Sequence, residues 1–155
     1  MALDSTDIRM IERLQADGRS SLRELADALD LSPSTVSNRF HRLREDGVIT
    51  GFRPVLDHEE IGFDLTAIVE LTIDPDRTAE TVAALQEKDG IVAFYEVTGE
   101  TDAVLVCKFT GREDMNDCVK AFQQVDGVTA TNTKVVLDSV EEDGRLDLRK
   151  PGRKD

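Results

Sequence analysis

The stretch LSPSTVSNRFHRLR, residues 31–44, has the composition of a surface that binds an anion. The whole chain is acidic, with a formal net charge of −13 and a sequence pI near 4.5, yet this stretch contains no Asp or Glu and carries three arginines and one histidine. Guanidinium groups suit phosphates and guanine, and Asn38 can form two hydrogen bonds with adenine. Duplex DNA is so densely charged that a carboxylate on such a surface would be strongly disfavoured. The stretch therefore predicts contact with double-stranded DNA.

The flanking sequence predicts three helices, of which the second and third would form a helix-turn-helix. Asp4 or Ser5 can cap the first helix. Ser32 can cap the third, with Pro33 at the first helical position, where its missing N–H costs nothing. The second and third helices are joined by the short connection DLS, which suits this motif. The predicted apolar faces are Ile8, Ile11 and Leu14 in the first helix, Leu22, Leu25, Ala26 and Leu29 in the second, and Val36, Phe40 and Leu43 in the third.

The polar side chains of the third helix form the candidate DNA-binding surface. Short hydroxyl and amide groups near its N-terminal end suit base edges, and its arginines suit phosphates or guanine. The predicted DNA-binding residues are Ser32, Ser34, Thr35, Ser37, Asn38, Arg39, His41, Arg42 and Arg44.

The pattern changes after the third helix and predicts an α+β unit. VITGFRPVLD is strand-like but interrupted by Gly51 and Pro54, which favours a hinge or an edge strand. LTAIVELTID alternates between apolar and polar residues, which predicts a strand over 65–74. The remaining predicted elements are helices over 77–88 and 112–124 and strands over 91–98, 103–110 and 128–137. The order is βαββαβ, that of the ferredoxin-like split unit.

Several motifs resemble those of the Lrp/AsnC, or feast/famine, transcription regulators. They are DGR, ELA, LSPSTV, NRFHRL and DGVITGF in the first part of the chain, and VTGETDAVL and VTATNTKVVLDSV downstream. The resemblance covers about residues 2–140. It implies a winged helix-turn-helix domain followed by a ferredoxin-like regulatory domain, a homodimer that can assemble into an octamer, and an amino acid or similar small molecule as effector.

Four segments are predicted from these patterns together. They are a helix-turn-helix DNA-binding domain over 1–50, a hinge or linker strand over 51–63, a ferredoxin-like effector-binding and oligomerisation domain over 64–141, and a polar tail over 142–155.

The connection TGETD, residues 98–102, is the predicted effector-binding loop. Gly99 supplies the backbone freedom of a tight turn, which leaves N–H groups open to a ligand carboxylate. Asp102 can accept from a ligand ammonium group, and in the Lrp/AsnC resemblance this loop borders the effector pocket. The alternative is a plain hairpin turn with a solvated aspartate. The predicted effector-binding residues are Thr98, Gly99, Glu100, Thr101, Asp102, Thr131 and Thr133.

Catalysis is not indicated by any residue pattern. We find no Ser/His/Asp arrangement and no phosphate-binding glycine loop, and we predict no catalytic residue, metal ligand or cofactor. The alternative is a sirohaem-decarboxylase-like enzyme subunit of the same two-domain build, which would need histidines for its tetrapyrrole, and the chain has only His41 and His58. An effector-binding module with a vestigial DNA domain is disfavoured by the three arginines of the third helix.

The excess of acidic residues indicates the salt conditions in which the protein works. The chain has 32 acidic residues against 19 basic ones, and only six of the basic residues are Lys. This composition favours an extreme halophile, whose proteins stay soluble in molar salt through net negative charge, over an ordinary acidic mesophile. The chain shows no signal peptide and no apolar stretch of membrane-spanning length, and Cys107 and Cys118 lack metal-binding spacing. We therefore expect a cytoplasmic protein with reduced, buried cysteines and no membrane partner.

Overall fold

The computed structural model describes residues 3–140 and Leu148, and these residues form two compact units. Of the described residues, the first unit contains those up to Val55 together with Leu148, and the second spans Leu56–Val140. Apart from Leu148, the predicted polar tail lies outside the described residues.

The first unit contains the three predicted helices, α1 (Ser5–Ala16), α2 (Leu22–Leu29) and α3 (Pro33–Glu45). Each begins at a residue whose side chain accepts a backbone hydrogen bond, so that one of the unpaired N–H groups of the first turn is satisfied. These caps are Asp4, Ser21 and Ser32, and the first two form capping boxes with Asp7 and Glu24. The prediction of a capped helix-turn-helix is confirmed.

The apolar face of α1 differs from the predicted one. Met10 is fully buried and Leu14 nearly so, whereas Ile8 and Ile11 are only half-buried. Asp7 is buried on the same face, because residues 7, 10 and 14 follow the helical repeat. A buried carboxylate is rare unless it is paired, which is why the sequence pattern favoured Ile8 instead. The other buried side chains of this core are Leu25, Ala26, Leu29, Val36 and Leu43.

The segment after α3, for which the sequence left a hinge or an edge strand open, does not form a strand. Residues 46–64 contain no strand. Pro54 lacks the N–H group that a ladder requires, and Gly51 has no side chain to pack, so this segment gains little from pairing within a single chain. Phe52 instead stacks on Phe40 of α3, with the ring centroids 6.3 Å apart.

The second unit has the predicted βαββαβ order. Its elements are β1 (Leu65–Ile73), α4 (Thr78–Gln86), β2 (Ile91–Glu96), β3 (Ala103–Phe109), α5 (Arg112–Gln123) and β4 (Val128–Val135), with a short 3-10 turn over Pro75–Arg77 before α4. The four strands form one sheet in the order β2-β3-β1-β4, and every neighbouring pair is antiparallel. The ferredoxin-like α+β fold is therefore confirmed.

The central strand β1 separates a buried face of the sheet from a more open one. Its residues Ala67, Val69, Leu71 and Ile73 are buried and pack in one core with Leu85 of α4 and Phe122 of α5. Burying a side chain of the size of Leu71 stabilises the fold by roughly 1.5–3 kcal/mol. The opposite face carries Thr66, Ile68, Glu70 and Thr72, all of which are half-buried.

Candidate functional site

The start of α3 is held by a short cluster of hydroxyl groups. The Ser32 side chain accepts from the Thr35 N–H at 3.2 Å, and its Oγ lies 2.7 Å from the Thr35 Oγ1 and 3.0 Å from the Ser34 Oγ. Upstream, Asp30 adopts a left-handed conformation with φ 56° and ends α2. The turn between the two helices therefore needs only three residues, and the N-terminal end of α3 has a defined start.

The buried face of α3 determines which side chains remain accessible. Val36 and Leu43 are fully buried, and Phe40 is half-buried, with its ring in contact with those of His41 and Phe52. All nine predicted DNA-binding residues lie on this helix or at its cap. The exposed ones are Ser32, Ser34, Asn38, His41, Arg42 and Arg44, and the half-buried ones are Thr35, Ser37 and Arg39.

Two of the three arginines of α3 are engaged within the protein. Arg39 Nη1 donates to Asp4 Oδ2 at 2.6 Å and to Asp7 Oδ1 at 2.8 Å. Arg42 Nη2 donates to both carboxylate oxygens of Asp7, at 2.7 and 2.6 Å. The hydrogen bond from Arg39 holds the pKa of Asp4 below its ordinary value. Within the described part of the chain, Arg44 forms no ion pair, so its guanidinium group is the more available to a phosphate.

Sequence reasoning assigned Asp4 only a capping role and overlooked Asp7. Asp7 is 1% exposed, and its carboxylate lies against the guanidinium groups of Arg39 and Arg42. The available signal was the spacing, because acids at positions i and i+3 on α1 match arginines at i and i+3 on α3. The two pairs lie more than 30 residues apart in the chain, and no local pattern joins them.

The predicted effector loop follows β2 and is hydrogen-bonded to β1. The Val97 N–H donates to the Asp102 carbonyl, and the Asp102 N–H donates to the Leu71 carbonyl, each at 2.9 Å. The Ile73 N–H donates to Asp102 Oδ2 at 2.7 Å, so this carboxylate already holds one backbone group. Gly99 has φ 133°, which a residue with a side chain rarely adopts. All five predicted loop residues except the half-buried Thr101 are exposed.

The two predicted threonines of β4 lie apart from this loop. Thr131 and Thr133 pair with Leu71 and Val69 of β1, and both are half-buried. The Thr131 Oγ1 accepts from Gln123 Nε2 of α5 at 2.8 Å. Because β1 lies between β4 and β3, the threonines and the loop flank opposite sides of that strand.

Reactive groups are sparse among the described residues. Burial, with a smaller effect from Cys118, raises the pKa of the Cys107 thiol to about 12, so its thiolate is disfavoured at neutral pH. Residues 3–140 contain no group of three or more His, Cys, Asp or Glu side chains arranged to hold a metal ion. No helix in the described chain is both long and apolar enough to cross a membrane.

Comparisons with known proteins assign a family domain to each part of the chain. A model described as winged helix-turn-helix DNA-binding matches residues 3–50, and one described as the Lrp/AsnC ligand binding domain matches residues 66–146. An uncharacterised HTH-type transcriptional regulator of Pyrococcus horikoshii is 41% identical over 147 residues, which are 95% of this chain and 99% of that protein.

Two solved structures share the fold over almost their whole length. The transcriptional regulator NMB0573 of Neisseria meningitidis, in complex with L-Met, has a TM-score of 0.90 and 26% identity, covering 96% of this chain and 98% of that one. The leucine response regulatory protein LrpA of Mycobacterium tuberculosis has a TM-score of 0.83 and 29% identity, covering 93% of this chain and 99% of that one.

The arginines of α3 are expected to differ in their contribution to DNA binding. Arg44→Ala should lower the slope of log K against log salt by about 1, because one phosphate contact is lost. Arg42→Ala should change this slope less and should lower the melting temperature, because Asp7 loses a partner for its buried carboxylate. Fluorescence anisotropy over a KCl series, with melting curves, measures both quantities. Arg112→Ala, which removes an exposed charge from the second unit, is the control. Equal slopes for both variants, with unchanged melting temperatures, would contradict this assignment.

Proposed function

The chain belongs to the Lrp/AsnC family of DNA-binding transcription regulators, and from this premise we propose that α3 recognises a specific duplex sequence under the control of a small effector. One observation gives the main support for DNA recognition by α3. From Ser34 to Arg44, the accessible side chains of α3 are hydroxyl, amide, imidazole and guanidinium groups, with no carboxylate among them. A polar helix face of this composition, next to a tight turn, suits the major groove.

Different parts of α3 would make different contacts with DNA. Asn38 and Ser34 are exposed and lie in the N-terminal half of the helix, where side chains of a recognition helix meet base edges. Arg44, at the other end, would contact the phosphate backbone, which adds affinity but no sequence information. This division assigns specificity to the amide and hydroxyl groups.

We further propose that the protein is a homodimer formed through the open face of the sheet. Ile68 of β1 lies opposite Val106 of β3 in register, and Val104 lies next along the same face opposite Glu70. These apolar side chains are only half-buried within one chain, so a second copy would remove more of their surface from water. Assembly of dimers into an octamer is what the family resemblance adds.

Selection from a random-sequence duplex library tests recognition and dimerisation together. We expect an inverted repeat whose half-site centres lie about 10 base pairs, or a multiple of this, apart, because a two-fold dimer presents two copies of α3. Asn38→Ala should keep this spacing and lose preference at one position of each half-site, with a cost of about 1–3 kcal/mol in discrimination. Light scattering should give the mass of a dimer or a multiple of it. Failure to enrich any sequence, or a mass near the 17.2 kDa of one chain, would contradict the proposal.

For the effector we propose an amino acid bound at the loop of residues 98–102. The complex of the Neisseria regulator contains L-Met, which makes this class of ligand the first to test. Asp102 is exposed and holds Ile73 through Oδ2, so a ligand ammonium group would share a carboxylate already fixed in position. Thr98 and Thr101 would add hydroxyl contacts. We also propose Thr131 and Thr133 as effector-binding residues, but their position gives less support, because they lie across β1 from this loop.

Asp102→Asn tests this site without removing the loop's own hydrogen bond. The amide oxygen can still accept from the Ile73 N–H, but the charge that attracts a ligand ammonium group is lost. Calorimetry with L-Met and the other standard amino acids should show binding to the wild type and about tenfold or weaker affinity in the variant. Binding to a selected DNA duplex without effector should stay at the wild-type level. Glu87→Gln, an exposed charge removed from the end of α4, is the control. Equal affinity in the variant and wild type would exclude Asp102 from the site.

We propose a halophilic origin from the excess of 32 acidic over 19 basic residues. We propose domain limits at 1–50, 51–63 and 64–141, followed by the tail over 142–155. A transcription regulator must share a compartment with the DNA that it binds, which supports the proposal of a cytoplasmic location. We propose no catalytic activity, and the names of the relatives as transcriptional regulators support this.

Melting curves at low and at molar KCl concentration test the halophilic proposal. Mutual repulsion of the carboxylates destabilises the folded state in dilute salt, and molar salt shortens the Debye length to about 3 Å. The melting temperature should therefore rise with KCl. A higher melting temperature at low salt would contradict a halophilic origin.

A further inference from the structure

The Asp7 carboxylate joins α1 to α3 through a closed network of hydrogen bonds. It is almost completely buried, and it accepts from Arg39 at 2.8 Å and from Arg42 at 2.6 and 2.7 Å. Its Oδ2 also accepts from the Asp4 N–H at 3.2 Å, while the Asp4 carboxylate accepts from the Asp7 N–H and from Arg39. We name this four-residue set the Asp7 network.

The Asp7 network does more than cap α1. A capping box needs only Asp4 and Asp7, and both of its hydrogen bonds lie within one helix. The arginines add a second element, because Arg39 and Arg42 lie one turn apart on α3. Apolar contacts at Val36 and Leu43 hold α3 against the core but are not directional, whereas hydrogen bonds between charged groups have preferred geometry. The network therefore adds a directional restraint on the rotation of α3 about its own axis, beyond the burial of Val36 and Leu43.

We propose that Asp7 is a positioning residue for DNA recognition, which acts through Arg39 and Arg42 to direct the polar face of α3 and does not itself touch DNA. The proposal rests on α3 being the recognition helix. Asn38 lies beside Arg39 and projects from the exposed surface of the helix. A small rotation of α3 would move its amide away from a base edge while leaving a guanidinium group within reach of a phosphate.

Loss of the Asp7 charge is expected to have two opposite effects on DNA binding. Arg42 would lose its counter-ion and become available to a phosphate, whereas Arg39 would still be paired with Asp4. Binding to any duplex should therefore become stronger. Specific recognition depends on the orientation of α3 and should weaken relative to that general binding. Unfolding of the first unit would weaken both kinds of binding. Opposite changes in general and specific binding would therefore indicate a positioning role, whereas a decrease in both would indicate that Asp7 only stabilises the fold.

The experiment compares Asp7→Asn with Asp27→Asn, which removes an exposed carboxylate of α2 and is the charge-matched control. Two probes are used with the full-length protein, a duplex recovered by selection with the wild type and a scrambled duplex of equal composition. For Asp7→Asn we expect the ratio of selected to scrambled affinity to fall about tenfold or more. The salt slope on the scrambled duplex should steepen by about 1, because Arg42 gains a phosphate contact while Arg39 stays paired with Asp4. Asp27→Asn should leave the ratio at the wild-type value.

A second variant keeps the proposal testable if Asp7→Asn does not fold. Arg42→Lys retains the positive charge but replaces the planar guanidinium with a compact ammonium of different reach. It should lower the ratio while leaving the salt slope near the wild-type value. An unchanged ratio in the folded variants would overturn the positioning role, and so would an equal loss of affinity for both probes. A wild type that does not discriminate between the two probes would instead contradict recognition through α3, which is a separate failure.

Discussion

DNA can approach a protein closely only where the surface carries little negative charge, and in this acidic chain the exposed surface of α3 up to Arg44 meets that electrostatic constraint. Residues 1–55 contain nine acidic residues and eight arginines, so nearly all of the net charge of −13 is carried downstream of Val55. The two acids that lie against α3, Asp4 and Asp7, are hydrogen-bonded to its arginines. The remaining accessible surface of α3 is neutral or positive as far as Arg44. Most of the net negative charge thus lies outside residues 1–55, and the acids Asp4 and Asp7 are paired with arginines in the folded structure.

This pairing supports the proposal that Arg39 and Arg42 position α3, whereas Arg44 contacts phosphates. An ion pair to a buried carboxylate such as Asp7 adds little net stability compared with an apolar contact, but loss of the cationic partner is costly, and the geometry of the pair is specific. Arg39 and Arg42 are therefore better suited to fix the helix than to supply affinity. In the second unit, β1 likewise has more than one role. Its buried face forms the core, its open face carries Ile68 at the proposed dimer surface, and its end is hydrogen-bonded to Asp102 of the proposed effector loop. This gives the loop a direct hydrogen-bonded connection to the strand through which assembly is proposed.

Local patterns predicted most of the fold, and long-range pairings account for most of what they missed. Capping residues such as Ser32, the helical spacing of Val36 and Leu43, and the alternation along β1 each depend on near neighbours in sequence, and the structure confirms them. Burial of Asp7 depends on arginines 32 and 35 residues away, so it could not be derived from the pattern of α1 alone. The bond from the Ile73 N–H to Asp102 has the same character, because 29 residues separate the two. The edge strand that was one of two possibilities after α3 did not form for a different reason, since a strand requires a partner and the described part of the chain supplies none for residues 46–64.

The most direct test of the account is methylation interference with dimethyl sulfate on a duplex selected by the wild-type protein. This reagent methylates guanine at N7 in the major groove and adenine at N3 in the minor groove, so it reports which groove the protein occupies. If α3 is the recognition helix, N7 methylation should block binding in two clusters separated by about one helical turn or a multiple of it, and N3 methylation within those clusters should have little effect. On a selected duplex whose half-sites contain guanine, interference confined to adenine N3, with none at guanine N7, would show that α3 does not enter the major groove and would contradict the central claim.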